Sequence, residues 1–370
     1  MLPLHIVIFS TREHNVRAIN FAGENGMNFK KTIKMQAAIM AVLMAFTVTC
    51  QTAFAEQKRL VPMGSTIGIS MSTDGVMVAS LTSTENGGAP SPAAEAGLLP
   101  GDLITALGGE KISSAEDFRK AAEKLTGEPV SVTVKREEED LQMTITPNTA
   151  SGTPELGMWL RDGISGIGTL TYYDPQTGMY GGLGHSICDA DSGVVIPLGS
   201  GEIMRSVVVE VVRGEVGQPG ELHGIFDVNA ICGNILGNTS CGIFGNLSQG
   251  IPLSDKAIPV AYEREIELGE ATVLSNVSGT DVAGYKVEIE RIYKDEVTGR
   301  SMMIKITDEE LLEKTGGIVQ GMSGSPIIQN GKLIGAVTHV LVNDPEKGFA
   351  VSVEKMLRES ETLCESGRAA

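Results

Sequence analysis

A mainly β chain, with a small α+β module ahead of a larger all-β domain, is the fold class this sequence predicts. Three observations carry it. Short runs rich in Val and Ile, such as 130–135, 207–212 and 286–290, read as strands, and the first alternates apolar and polar residues as a half-buried strand does. Gly and Pro punctuate them at short intervals, as in Gln218-Pro219-Gly220 and across 242–250. One clear helical period, over 114–125, interrupts the strands of the first half.

The first module spans 60–148. Residues 66–71 and 76–81 read as two strands of a hairpin turning at Asp74-Gly75. In 114–125 the apolar residues Phe118, Ala121, Ala122 and Leu125 recur at helical spacing. Ser113 or Ser114 stands at the N-cap, and Glu116 and Asp117 complement the dipole of the first turn. Strands over 130–135 and 141–145 follow, joined by the acidic turn 137–140. Residues 149–156 form a polar linker with Gly and Pro. The second domain covers 157–361, with a tail over 362–370. Its strongest hairpin has Asn330-Gly331 between Ile327-Ile328 and the strand 333–342, because Asn-Gly suits a type I′ turn. About 200 residues of short strands imply a pair of barrels or a sandwich.

At 370 residues with 42% hydrophobic content, the chain has material for roughly two to three globular domains. Its net charge of −17 argues against a nucleic-acid partner, which needs a basic surface, and against charge-driven docking on an anionic membrane. The five cysteines contain no CxxC pair, so no zinc framework is expected. Cys232 and Cys241 are spaced either to close a small loop or to be separate buried thiols.

The N-terminal region reads as a targeting segment over 27–55. Lys30, Lys31 and Lys34 precede an apolar stretch from Met35 to Thr49, and Ala53-Phe54-Ala55 fits a cleavage site. A signal peptide or an uncleaved signal anchor satisfies this pattern, and both place the remainder outside the cytoplasm. Residues 1–26 read as a misassigned start or an extension, because Met27 stands directly before the pattern.

The candidate chemistry lies in Gly321-Met322-Ser323-Gly324-Ser325-Pro326 and in Gly184-His185-Ser186. A serine on a sharp, glycine-flanked turn before a strand exposes its hydroxyl, and the Gly321 and Ser323 amides are the expected oxyanion donors. Ser325 is the rival nucleophile and is read as turn structure. His185, among small neighbours, is the expected general base. His339 falls inside a strand and reads as a core or sheet-face residue, and His223 as a loop residue. For the orienting acid the spacing offers Asp308, with Asp189, Asp191 and Asp227 as competitors. Asp308 also stands at the start of a short helix, 308–314, where Thr307 and Glu310 make a capping-box pattern. Capping and catalysis are therefore both open to it. The order His…Asp…Ser along the chain is that of the chymotrypsin-like enzymes. The predicted domain is accordingly a serine protease that needs no metal or cofactor.

Residues 60–148 resemble a PDZ domain of the bacterial protease-associated type, most specifically at Ala96-Gly97-Leu98-Leu99-Pro100-Gly101-Asp102-Leu103-Ile104. The resemblance implies a peptide or C-terminal tail bound as an added strand. It maps the carboxylate loop near 65–69, with Ile67-Gly68-Ile69 opening the binding strand.

The chain after the targeting segment resembles the sporulation stage IV protein B peptidases of endospore-forming bacteria. Gly166-Ile167-Gly168-Thr169-Leu170-Thr171, Gly182-Leu183-Gly184-His185, Pro219-Gly220-Glu221 and the run from Lys314 to Pro326 carry the likeness. It implies a serine endopeptidase with a chymotrypsin-like double β-barrel domain and the triad His185, Asp308 and Ser323. It further implies secretion into the space between the two forespore membranes, and cleavage of a membrane-bound regulator and of the enzyme itself. A late sigma factor is activated as a result, and the PDZ module governs partner recognition. Two other readings fit the same motifs: an export-side quality-control protease, and a PDZ scaffold with an inert protease-like domain.

Overall fold

Two 16-residue strands run antiparallel through the centre of the molecule and serve both of its folded parts. The structure is a computed structural model that describes residues 57–82, 90–137, 139–248, 251, 256–294 and 299–368. The stretch expected to be a targeting segment and the residues before it lie outside the described residues.

The first part contains β1 (Arg59–Pro62), β2 (Thr66–Leu81), α1 (Pro92–Glu95), β3 (Leu103–Leu107), β4 (Glu110–Lys111), α2 (Ala115–Ala122), β5 (Val130–Arg136), β6 (Glu139–Ile145) and β7 (Met158–Tyr173). Ser114 caps α2 by accepting from Asp117 N–H. The expected hairpin at Asp74-Gly75 is instead one continuous strand, β2. Both halves of β2 find their partner in β7, whose length removes the need for the chain to turn back; the register slips between Ser72 and Met77.

The domain boundaries therefore fall inside strands. Ile67, Ile69 and Met71 of β2 belong to the core of the first half-barrel. Val76 and Val78 belong to the PDZ core, with Leu98, Ile104, Val132 and Val134. Leu156, at the end of the expected linker, is buried in that PDZ core, and Met158 and Leu160 pack against it.

The half-barrel adds β8 (Met179–Gly182), β9 (Ser200–Val212), β10 (Glu221–Asn234), β11 (Gly237–Thr239), β12 (Gly242–Asn246) and β13 (Ile258–Pro259). The second barrel is closed. It comprises β14 (Gly269–Asn276), β15 (Val282–Ile292), β16 (Met302–Ile306), β17 (Pro326–Gln329), β18 (Lys332–Leu341) and β19 (Asp344–Ser352), with α3 (Glu309–Thr315) after β16. The Asn330-Gly331 turn joins β17 to β18 as expected, with Asn330 at φ +51°. Val273, Val287, Ile304, Ile327 and Val337 fill this barrel. Helix α4 (Val353–Arg368) follows; its Val353 and Met356 pack with Leu60, Tyr172 and Phe244 of the half-barrel and with Leu333 and Ala336 of the closed one. This is a double-barrel domain preceded by a PDZ module. Cys188, Cys232, Cys241 and Cys364 are free thiols, so Cys232 and Cys241 do not pair.

The two edges of Ile67-Gly68-Ile69 correct one expectation. These residues pair with 166–168 of β7 on one side and with 203–205 of β9 on the other. Ile67 and Ile69 are buried. A peptide cannot add a strand where both edges are already taken, so this segment is not the PDZ binding strand.

Candidate active site

Ser323 sits on a turn between α3 and β17 whose other residues are pinned. Met322 is fully buried in the core of the closed barrel. Gly324 has φ +98°, and a Cβ there would lie 1.9 Å from the Thr169 carbonyl oxygen, so only glycine fits. Strand β7 holds the turn from outside. Thr169 Oγ1 donates to the Gly321 carbonyl at 2.7 Å, Thr169 N–H to the Ser323 carbonyl at 3.0 Å, and Thr171 Oγ1 to the Gly324 carbonyl at 2.8 Å.

Along this turn the amides of Gln320, Met322, Gly324 and Ser325 each donate to a backbone carbonyl. Those of Gly321 and Ser323 have no acceptor among the described residues. Two unspent N–H groups beside a serine hydroxyl form the donor pair that an oxyanion requires. Ser325 is fully buried and bonds Ser275 Oγ at 3.1 Å, so the rival hydroxyl is out of reach of the pocket.

His185 follows β8 on a strained turn. Leu183 takes φ +65°, a region costly for a residue with a Cβ, and its buried side chain anchors the turn in the half-barrel core. His185 and Ser323 line one cavity of about 420 Å³ with Ile164, Ile167, Gly321 and His339. In this structure Ser323 Oγ donates to the Thr338 carbonyl at 2.6 Å and not to an imidazole nitrogen. His185 Nδ1 lies 2.8 Å from the Ser186 carbonyl oxygen. A carbonyl only accepts, so Nδ1 carries the proton and Nε2 keeps the lone pair that a base needs. Burial pushes the His185 pKa below the usual imidazole value, and the Ser186 contact opposes that shift.

Asp308 is not brought to His185. It is the N-cap of α3: its Oδ1 accepts from Leu311 N–H at 3.1 Å and its Oδ2 from Lys286 N–H at 3.1 Å. With both oxygens committed to backbone amides, the carboxylate performs the capping role, and the orienting role expected of it is not seen. The competing acids are occupied as well. Asp189 is buried against Arg161 and Ser192, Asp191 is exposed and pairs with Arg161, and Asp227 bonds Asn229. The contact that orients His185 is the Ser186 carbonyl.

The sequence reading missed His339. On β18 its ring centroid lies 4.7 Å from that of His185, and it lines the same cavity. The one available signal was its position immediately after Thr338 in a strand that follows the serine turn. His223, by contrast, lies on β10 between Glu210 and Glu221, with each ring nitrogen 3.4 Å from one of the two carboxylates.

A serine turn with free amides, an imidazole base in the same cavity and a double-barrel frame define a serine peptidase. The chain belongs to the SpoIVB peptidase S55 family, whose model matches residues 117–357, and a PDZ domain model matches 65–146. Among curated proteins, one of Agrobacterium fabrum named as a zinc metalloprotease is 40% identical over 79 residues, 21% of each chain. One of Synechocystis sp. named as the serine protease HhoB is 41% identical over 58 residues, 15% of this chain and 14% of its own. The chain thus matches only 21% and 14% of these relatives' length. Among solved structures, the HtrA-type protease AlgW with a decapeptide is similar at 12% identity. The match covers 57% of this chain and 55% of that one, with a TM-score of 0.33. The Rv3671c protease of M. tuberculosis in its active form is similar at 16% identity, over 52% of this chain and 72% of that one, with a TM-score of 0.29.

Proposed function

We propose that this peptidase is an exported endopeptidase of sporulation signalling, which cuts a membrane-bound regulatory protein and also itself. One observation carries the catalytic part: Ser323 and His185 share a cavity in which the Gly321 and Ser323 amides are unspent. Ser323 Oγ leaves the Thr338 carbonyl, turns toward His185 and attacks the peptide carbonyl carbon. Its proton passes to His185 Nε2, and the two amides hold the oxyanion. The imidazolium then gives that proton to the leaving amine. Water, deprotonated by the same nitrogen, releases the acid and restores Ser323. The imidazolium is balanced by the Ser186 carbonyl dipole instead of a carboxylate.

Family membership and the targeting segment at 27–55 support the export and signalling parts of this reading. The test is expression with export intact, followed by N-terminal sequencing of the wild-type and Ser323→Ala proteins. Both should share the product of signal processing if the segment is cut. Shorter species should appear for wild type alone, and cleavage should fall on one membrane-bound regulator. Broad degradation of unfolded proteins would support the quality-control reading. Full cleavage by Ser323→Ala would remove the assignment of the nucleophile.

A further inference from the structure

The two glycines of Gly166-Ile167-Gly168 on β7 are required by the fold to different degrees. A Cβ on Gly168 would run into Leu183 Cδ2, so the half-barrel core imposes that glycine. A Cβ on Gly166 would meet nothing within 4 Å, and its φ is not left-handed. A strand glycine that neither packing nor backbone demands marks a place where another chain comes close.

The edge of β7 beside Gly166 is open. Residues 163–169 pair with 66–72 of β2 on one side, and among the described residues the other strand partners of β7 begin only at Leu170. Thr169 turns its N–H and C=O away from β2, the first to the Ser323 carbonyl and the second to Leu183 N–H. In an antiparallel ladder every second residue addresses the same edge. The N–H and C=O groups of Ile167 and Ser165 therefore face the open edge, in line with the nucleophile turn.

Side chains alternate between faces in the same way. Ile164, Gly166 and Gly168 share one face, on which Ile164 packs against the core cluster of Ile69 and Leu183. Ile167 takes the other face, toward Gly224 of β10. Ile69, Ile164, Leu183 and Ile187 make an apolar wall of the cavity that holds Ser323 and His185, and among the described residues no Asp, Glu, Lys or Arg lines it. The absent side chain of Gly166 leaves this wall open at the strand edge. His185 gives its proton to the leaving amine, so the residue that begins the released fragment lies against His185 and the groups beside it, Ile187 among them.

We propose, resting on the peptidase reading above, that the substrate adds as a strand to the β7 edge at 165–167, and that the space over Gly166 receives the first side chain after the scissile bond, which is large and apolar. Gly166, Ile164 and Ile187 then set the specificity on the leaving-group side.

The test compares the full wild-type chain with Gly166→Val. Both are given a pool of unstructured peptides of mixed sequence, and mass spectrometry reads the residue after each cut. Fluorophosphonate labelling of Ser323, which needs no leaving-group side chain, is timed on the same preparations. Wild type should favour Leu, Ile, Met or Phe after the cut over Asp, Glu or Lys by about tenfold or more. Gly166→Val should shift the preference to Gly or Ala and raise KM for the best wild-type peptide about tenfold or more, with the labelling rate within about threefold. No preference at that position, a charged preference there, an unchanged preference in Gly166→Val, or a labelled wild type that cuts none of the peptides would overturn the proposal and leave the activated serine standing. Loss of labelling together with cleavage in Gly166→Val would make the glycine structural and overturn it as well. Wild type with neither labelling nor cleavage would remove the peptidase reading and this inference with it.

Discussion

The imidazole of His339 leans on that of His185, with ring centroids 4.7 Å apart and planes tilted by 39°. Two cations cannot share that spacing cheaply, and His185 adds to the burial that holds the His339 ring toward neutrality. The His339 pKa is pushed down to about 4, first by the protein around the ring, then by His185 and Arg300. Arg300 itself lies over Phe349, and among the described residues no carboxylate bonds either histidine.

The sign of the pH dependence follows. A histidine whose folded pKa is depressed is neutral in both states above the unfolded value of 6.5, where it leaves stability unaffected. As pH falls from 6.5 toward about 4, the unfolded chain binds a proton that the folded chain refuses, and stability is lost. His339→Phe keeps a ring against His185 and removes this group. Urea unfolding of the variant should therefore show a shallower loss of stability across that window than wild type. The acid limb of kcat/KM should fall below the ordinary imidazole value in both proteins, because His185 is itself lowered by burial.

Asp308→Ala separates capping from catalysis. The variant should lose about 1 kcal/mol of stability, as expected for an N-cap, with kcat within about twofold of wild type. Calorimetry and steady-state kinetics on the same preparation check this. A fall in kcat on the order of 10⁴-fold, without loss of fold, would mean that the carboxylate reaches His185 during turnover.

Thr169→Val tests the support behind the nucleophile. The change is nearly isosteric and leaves the backbone bond to Ser323 intact, but it deprives the buried side of the turn of the Gly321 contact. A neutral hydrogen bond of this kind contributes about 1 kcal/mol, which in kcat is about fivefold. The loss should appear in kcat with KM little changed if, as proposed, the turn binds the developing oxyanion more than the substrate.

Much of this molecule was legible from its residues. Asn330-Gly331 dictated its hairpin because few residues tolerate that turn. Ser114 capped its helix because the apolar period began directly after it. The glycines around Ser323 announced a turn that only a Cβ-free residue could make. What stayed hidden depended on partners distant in sequence. Asp74-Gly75 has the composition of a hairpin, and only the 16-residue partner β7 keeps it straight. Ile67-Gly68-Ile69 has the composition of a binding strand, but β9 occupies its other edge. His339 looked like any strand residue until folding set it against His185. Asp308 could not be resolved between two roles by spacing, since both begin with an acid at a helix start.

The most direct test is a fluorophosphonate probe, because covalent labelling requires a serine hydroxyl activated by a neighbouring base. Mass spectrometry of the labelled wild-type protein should find one adduct, on Ser323. The adduct should be lost in His185→Ala and retained in Asp308→Ala. No labelled serine in folded wild-type protein, or undiminished labelling of Ser323 in His185→Ala, would contradict the account.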